Sequence, residues 1–354
     1  GSVYQLLTAV HLRQNLLTQN AADLLLTDNL PERAKYAARL RETGLFRRVL
    51  LGDTRGLNRR FAGGKEPAEE AFSHAPRHLR FALSDEPAAY DAVYFGNFDM
   101  LIRMLACVYP ERPYDFFWYE DGFSSYVIDY LRETRTAVNR HPATQILRDR
   151  LRCALLYEPR LAMRGDGLPN RPLPRIRRED ESLRETLNFL FDYRTPEETP
   201  AFLFLEQSFR AEGIKSNDLD LMRECRDVVG AGRFGVKPHP RNPENLPYQL
   251  GLTRRPTGDV PWELFLLNER PENLTLLSVC SNAALTGRIL FGLDIPTVML
   301  YPLFEGKVLW QEDAVLRRYL RRFRLQFAGR RYFVPETHYE LQHILEYLGG
   351  HHVP

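Results

Sequence analysis

Leu274-Thr275-Leu276-Leu277-Ser278-Val279-Cys280-Ser281-Asn282-Ala283-Ala284-Leu285-Thr286 is the stretch that decides how this chain reads. An apolar run of strand length, Leu274 to Val279, gives way at Ser281-Asn282 to small and apolar residues with helical spacing as far as Phe291. Ser and Asn suit a helix N-cap because their side chains accept hydrogen bonds from the first amides of the helix. The stretch is therefore a strand feeding a helix, with an N-cap between them. Around it the same step recurs: Ala201–Leu205, Phe234–Lys237 and Thr297–Tyr301 read as strands, Asp218–Val229 and Pro261–Leu267 as helices. Such alternation predicts a mostly parallel sheet covered by helices.

The first half shows the same alternation. Val3–Thr8, Asp23–Thr27, Arg47–Gly52, Ala92–Phe95 and Asp115–Tyr119 read as strands, with Leu12–Gln19, Ala34–Thr43 and Met100–Val108 as helices between them. Between the halves, residues 158–200 carry Pro, Gly and Arg punctuation around one helical piece, Glu181–Phe191, and read as the interdomain connection. The expected fold is α/β, with two Rossmann-like domains facing a central cleft. Their spans are 3–192, with the connection at 158–200, and 201–330; residues 331–354 form a C-terminal segment expected to pack back on the first domain.

At 354 residues, two domains are the default. A 44% hydrophobic content builds real cores, and no run has the uninterrupted apolar length of a membrane span. The formal net charge of +2 carries no polyelectrolyte signal for nucleic acid. One late segment is strongly basic: Arg317, Arg318, Arg321, Arg322, Arg324, Arg330 and Arg331 alternate with Tyr319, Leu320, Phe323, Leu325 and Phe327. It reads either as a solvated helix face or as a contact for anionic lipid headgroups. Cys107, Cys153, Cys225 and Cys280 have apolar neighbours and no paired metal spacing, so reduced, buried thiols and a cytoplasmic compartment are expected. Gly1-Ser2 reads as a cloning scar, and His351-His352 as a tail.

Three signatures carry chemistry, each at an expected strand end. Glu120-Asp121-Gly122 follows Asp115–Tyr119; the glycine allows a sharp turn, and a carboxylate there suits a general base acting on a hydroxyl. The same residues also fit a plain Asp-Gly turn. In Lys237-Pro238-His239-Pro240-Arg241, each proline holds the residue before it extended, so Lys237 and His239 stay out of any helix. A histidine held in this way can bond a phosphate, with Lys237 and Arg241 making the surroundings positive; a simple loop histidine is the alternative. Ser278, Ser281 and Asn282 begin a helix whose N-terminus can receive an anion, and an ordinary N-cap explains them equally. Glu263, in Asp259-Val260-Pro261-Trp262-Glu263, fits either ribose recognition or the helix dipole, and Gln207 ends the strand at Leu205. Neither a P-loop nor a complete dinucleotide-binding glycine fingerprint is present, which disfavours nucleotide hydrolysis and hydride transfer.

Together, Glu120-Asp121-Gly122, Pro238-His239-Pro240-Arg241 and Ser281-Asn282-Ala283-Ala284-Leu285-Thr286 resemble the motifs of the bacterial lipooligosaccharide sialyltransferase family, glycosyltransferase family 52. The resemblance implies a GT-B fold and an inverting transfer from CMP-sialic acid to a terminal sugar, galactose in the expected acceptor, without metal or other cofactor. On that reading His239 meets the leaving phosphate, Asp121 is the base ahead of Glu120 and Glu206, and Ser281, Asn282, Ser278, Pro240, Lys237, Glu263 and Gln207 bind donor. The acceptor would be a surface glycolipid or oligosaccharide bound on the first domain's side. The expected location is the cytoplasm or the inner face of the cytoplasmic membrane, touched through the 317–331 segment. A homodimer is compatible with the resemblance. Two alternatives stand beside it: a transferase of the same fold using another nucleotide sugar, and a non-catalytic nucleotide- or glycan-binding protein.

Overall fold

A computed structural model describes residues 1–108, 114–254, 260–269, 273–306, 313–327 and 331–350. Asp259, Arg330, His351 and His352 lie outside them. The chain divides into two compact units, one of residues 1–176 and 180–192, the other of 177–179 and 193–354. Among the described residues, no helix is long and apolar enough to cross a membrane.

The first unit holds two sheets. β1 (Asp23–Thr27) pairs in parallel with β2 (Arg48–Gly52). β3 (Ala92–Phe95), β4 (Asp115–Tyr119), β5 (Leu151–Leu156) and β6 (Asn170–Pro172) lie side by side in that order, all parallel. β5 was not expected from sequence. Its apolar run, Cys153 to Leu156, comes just after the helix Pro142–Arg150, and such a short run looks alike in a buried helix and a buried strand. β6 and the helix Glu181–Phe191 both belong to this unit, so most of the expected connection is part of its body.

The expected strand at Val3–Thr8 is instead the start of helix α1 (Val3–Asn15), and the helix expected over Leu12–Gln19 ends at Asn15. A reciprocal capping box decides this: Ser2 Oγ accepts from the Gln5 amide at 3.1 Å, while Gln5 Oε1 accepts from the Ser2 amide at 3.2 Å. Leu6, Leu7, Val10 and Leu12 are then buried along the helix.

The second unit is a single parallel sheet in the order β11 (Tyr332–Phe333), β10 (Thr297–Met299), β9 (Thr275–Ser278), β7 (Phe202–Leu205), β8 (Phe234–Lys237). β7 is central and fully buried. The chain runs from β7 to β8 on one side, then crosses to β9 on the other, so strand order reverses at β7. Open parallel sheets bind ligands outside the carboxyl ends of the strands at such a reversal. As far as residue 350, the C-terminal segment belongs to this second unit. β11 extends this sheet, and the helix His338–Gly350 packs on the helix Asp218–Val229 with Leu341, Leu345 and Leu348 buried. Arg233 Nη2 ties it down by donating to Gly349 O at 3.0 Å.

Candidate functional site

In the second unit, the carboxyl ends of β7, β8 and β9 place Glu206-Gln207-Ser208, Lys237 to Arg241 and Ser278 to Asn282 along one sheet edge. His239 is half-buried there. Its Nδ1 accepts from the Arg241 amide at 3.2 Å, which puts the ring hydrogen on Nε2. Burial and then the Arg241 charge push the imidazole down to about 4, so it is neutral near pH 7. Arg241 is itself held, its Nη2 donating to Ser208 Oγ and to Glu212 Oε1, each at 2.9 Å.

Glu206, third-ranked as base from sequence, is buried and committed elsewhere. Its Oε2 accepts from the His239 amide at 2.9 Å, and Arg210 Nη1 lies 2.7 Å from its Oε1. A carboxylate engaged by a backbone amide and a guanidinium holds the histidine loop in place. Arg210 was not singled out from sequence, although its spacing of four residues from Glu206 is an ion-pair signal on a helical turn.

Three residues expected to bind donor are structural ties. Ser278 is fully buried, its Oγ donating to Leu205 O at 2.9 Å and accepting from the Ser281 amide at 3.0 Å. Gln207 Oε1 accepts from the Cys280 amide at 2.9 Å, closing the β7 and β9 ends together. Lys237 Nζ donates to Val260 O at 2.7 Å rather than reaching into open space. Pro240 is exposed.

Ser281 caps the helix Ala283–Phe291: its Oγ accepts from the Ala283 amide at 3.3 Å and its carbonyl from the Ala284 amide at 3.1 Å. Those two amides are thus already paired. The Ser281 hydroxyl and the positive end of the helix remain as features suited to an anion. Asn282 does not cap; Tyr319 donates its hydroxyl hydrogen to Asn282 Oδ1 at 3.3 Å, a partner that no local pattern announces. Glu263 sits in the first turn of the helix Trp262–Asn268, where burial raises its carboxyl and the Lys237 charge opposes the rise.

In the first unit, β4 delivers the acidic pair. Gly122 turns the chain with φ of 77°, a conformation open to glycine without strain. Glu120 is fully buried; it accepts from Tyr4 Oη at 2.7 Å, from the Tyr157 amide at 2.9 Å and from Tyr126 Oη. Burial pushes it up to about 7 against those three bonds. It is a walled-in acid, unable to meet an incoming hydroxyl, which corrects its place among the catalytic candidates. Asp121 is only partly covered. Ser2 Oγ donates to its Oδ1 at 3.2 Å, and its amide donates to Ser125 Oγ at 2.8 Å. Burial pushes Asp121 up to about 6, opposed by the Gly1 amino group and by Ser2 and Gln5. A carboxyl ionised at pH 7 yet more basic than usual is suited to accepting a proton.

Among the described residues, no group of three or more His, Cys, Asp or Glu side chains is placed to hold a metal ion. No protein-family model matches the chain. No curated protein matches it either. Among solved structures it is similar to the alpha/beta-galactoside alpha-2,3-sialyltransferase of the luminous marine bacterium Photobacterium phosphoreum, with 8% identity over 89% of this chain and 99% of that one and a TM-score of 0.46. Similarity of that degree carries no argument about fold or chemistry.

Proposed function

We propose that this protein is an inverting, metal-independent glycosyltransferase that moves sialic acid from CMP-sialic acid to a hydroxyl of a terminal sugar, with galactose as the expected acceptor residue. The observation that carries the reading is the neutral, oriented imidazole of His239, which shares a sheet edge with Ser281 and the start of helix Ala283–Phe291. A departing CMP is a phosphate monoester that gains negative charge as its bond to the sugar breaks. An Nε2–H donor and a helix N-terminus suit that charge, since both interact more strongly with the leaving phosphate than with the intact diester. A single phosphate requires no clamp for a pyrophosphate.

In the reaction the bond from the anomeric carbon to the phosphate oxygen breaks, its electron pair staying with CMP. The acceptor oxygen forms the new bond to that carbon from the opposite face and gives its proton to a general base, the role that the resemblance gives to Asp121. His239 donates its Nε2 hydrogen bond to the leaving oxygen; with its value near 4 it does not enter the cycle as an imidazolium. Ser281 adds a hydroxyl donor, and Glu263 is assigned to the ribose.

The test is thermal unfolding of the full chain with CMP, UDP, GDP and ADP in parallel, followed by transfer from CMP-sialic acid to lactose. A ligand that binds only the folded state raises the midpoint by mass action. A rise confined to CMP, with sialylated product, is the expected result. A rise with UDP or GDP alone would replace the donor, and CMP binding without donor turnover would make the protein a binding module.

A further inference from the structure

The two sheets of the first unit leave a slot between them. Among the described residues β1 pairs in a ladder with β2 alone and β3 with β4 alone, so each keeps one edge outside any ladder. A cavity of about 430 Å³ runs along both strands, lined by Leu24 and Leu25 of β1, Val93 of β3, Leu12 of α1, and Leu101 and Leu105 of the helix Met100–Cys107. Strands of an all-parallel sheet are ordinarily covered on both faces. Leu24, Leu25 and Val93 are nevertheless only half-buried. The two strands run the same way. Tyr90, just before β3, donates its hydroxyl hydrogen to Asp23 Oδ2 at the start of β1, at 3.0 Å. At the far end the start of α1 is wedged between the strand ends: a Cβ on Gly1 would lie 2.6 Å from Asn29 Cβ, and one on Gly96 would lie 2.8 Å from Gln5 Nε2.

We infer that this slot is the seat of an extended apolar strand of about five residues, continuous with the amino end of α1 and parallel to β1 and β3. An extended peptide can bond the backbone donors and acceptors of both open edges at once, which a small apolar ligand cannot do. Its side chains would meet the apolar faces of α1 and of the helix Met100–Cys107. The sheet order then becomes β2, β1, the added strand, β3, β4, β5, β6. Numbered along the chain with the added strand first, it begins 3-2-1-4-5-6, the order of doubly wound folds, whose ligand crevice opens where the order reverses. α1 becomes the crossover of a βαβ unit, from the added strand to β1. The inference needs no sugar donor and stands apart from the transferase reading. The carboxyl end of the strand would lie beside Ser2, whose Oγ donates to Asp121 Oδ1 at 3.2 Å.

The experiment extends the full chain ahead of Gly1 by a pair of lysines and about five alternating valines and leucines, the length of β1. The control carries an extension of the same length in which prolines and aspartates replace the apolar residues. Both are compared by amide hydrogen exchange and thermal unfolding. Amides of the apolar extension should be protected at least about a hundredfold over the free peptide, and β1 and β3 should gain protection with them. The midpoint should stand about 5 °C or more above that of the control. Free exchange in the apolar extension, with a midpoint equal to the control's, would overturn the inference. So would protection of the extension without any gain in β1 and β3, which would mean that it pairs elsewhere or with other copies. Protection of β1 and β3 by the same peptide added as a separate molecule, while the fused copy exchanges freely, would assign the slot to a strand of another chain and overturn the continuity with α1.

Discussion

The carboxylate of Glu206 accepts a hydrogen bond from the backbone amide of His239 at 2.9 Å. The end of the central strand thereby fixes the loop that carries the imidazole, and Arg210 at 2.7 Å balances the buried charge. A residue that could pass for a base in the sequence is, by its contacts, a support for the histidine loop.

Glu206→Gln keeps an acceptor for the His239 amide and should leave transfer within about tenfold of the parent; a lost base would cost about a hundredfold or more. Glu206→Ala leaves Arg210 without its partner and should lower the unfolding midpoint as well as turnover. Steady-state rates and thermal unfolding on both variants separate support from proton abstraction. A Glu206→Gln enzyme that folds normally but is inert would return the base to Glu206.

His239→Ala should lower kcat by about two to three orders of magnitude with little loss of stability, as on removal of one donor to a charge-developing oxygen. His239→Gln, which places an amide N–H near the former Nε2, should recover part of the loss. Full activity in the alanine variant would remove the imidazole from the mechanism.

Asp121 should govern the acid side of the pH profile. It must be ionised to take a proton, and burial holds it up to about 6. The rate kcat/KM should therefore fall as pH drops through about 6, while His239, down at about 4, contributes no step between 5 and 8. Asp121→Asn should abolish transfer without abolishing CMP binding. An acid limb that survives in a still-active Asp121→Asn enzyme would show that another group is the base.

Glu120 makes a stability prediction of opposite kind. Its carboxyl is raised from 4.5 to about 7 in the folded chain, so the unfolded chain ionises first as pH rises. Stability from this group is fully present below about 4.5 and is lost as pH climbs through about 7, by at most about 3 kcal/mol. Glu120→Gln should fold, since Tyr4, Tyr126 and the Tyr157 amide can still bond an amide side chain, and should flatten that loss. Unfolding midpoints at pH 5 and 8 test it; an unaltered slope would mean that Glu120 does not titrate in this range.

Much was legible along the chain because it depends on neighbours in sequence. Helix Asp218–Val229 and strand Phe234–Lys237 follow from apolar periodicity, and Gly122 marks the turn after β4 from its residue type alone. Local patterning thus determined the alternating βα order and brought His239, Asp121 and Ser281 to strand ends. It misread Val3–Thr8, where a short apolar run fits either period and the Ser2–Gln5 box tips the balance to helix. What the tertiary structure alone decided is which polar groups were already spoken for. Tyr4 lies 116 residues from the Glu120 it bonds, and Gln207 lies 73 from Cys280. Hydrogen bonds across such distances leave no periodic trace, because each needs the finished sheet edge to bring its two partners within 3 Å.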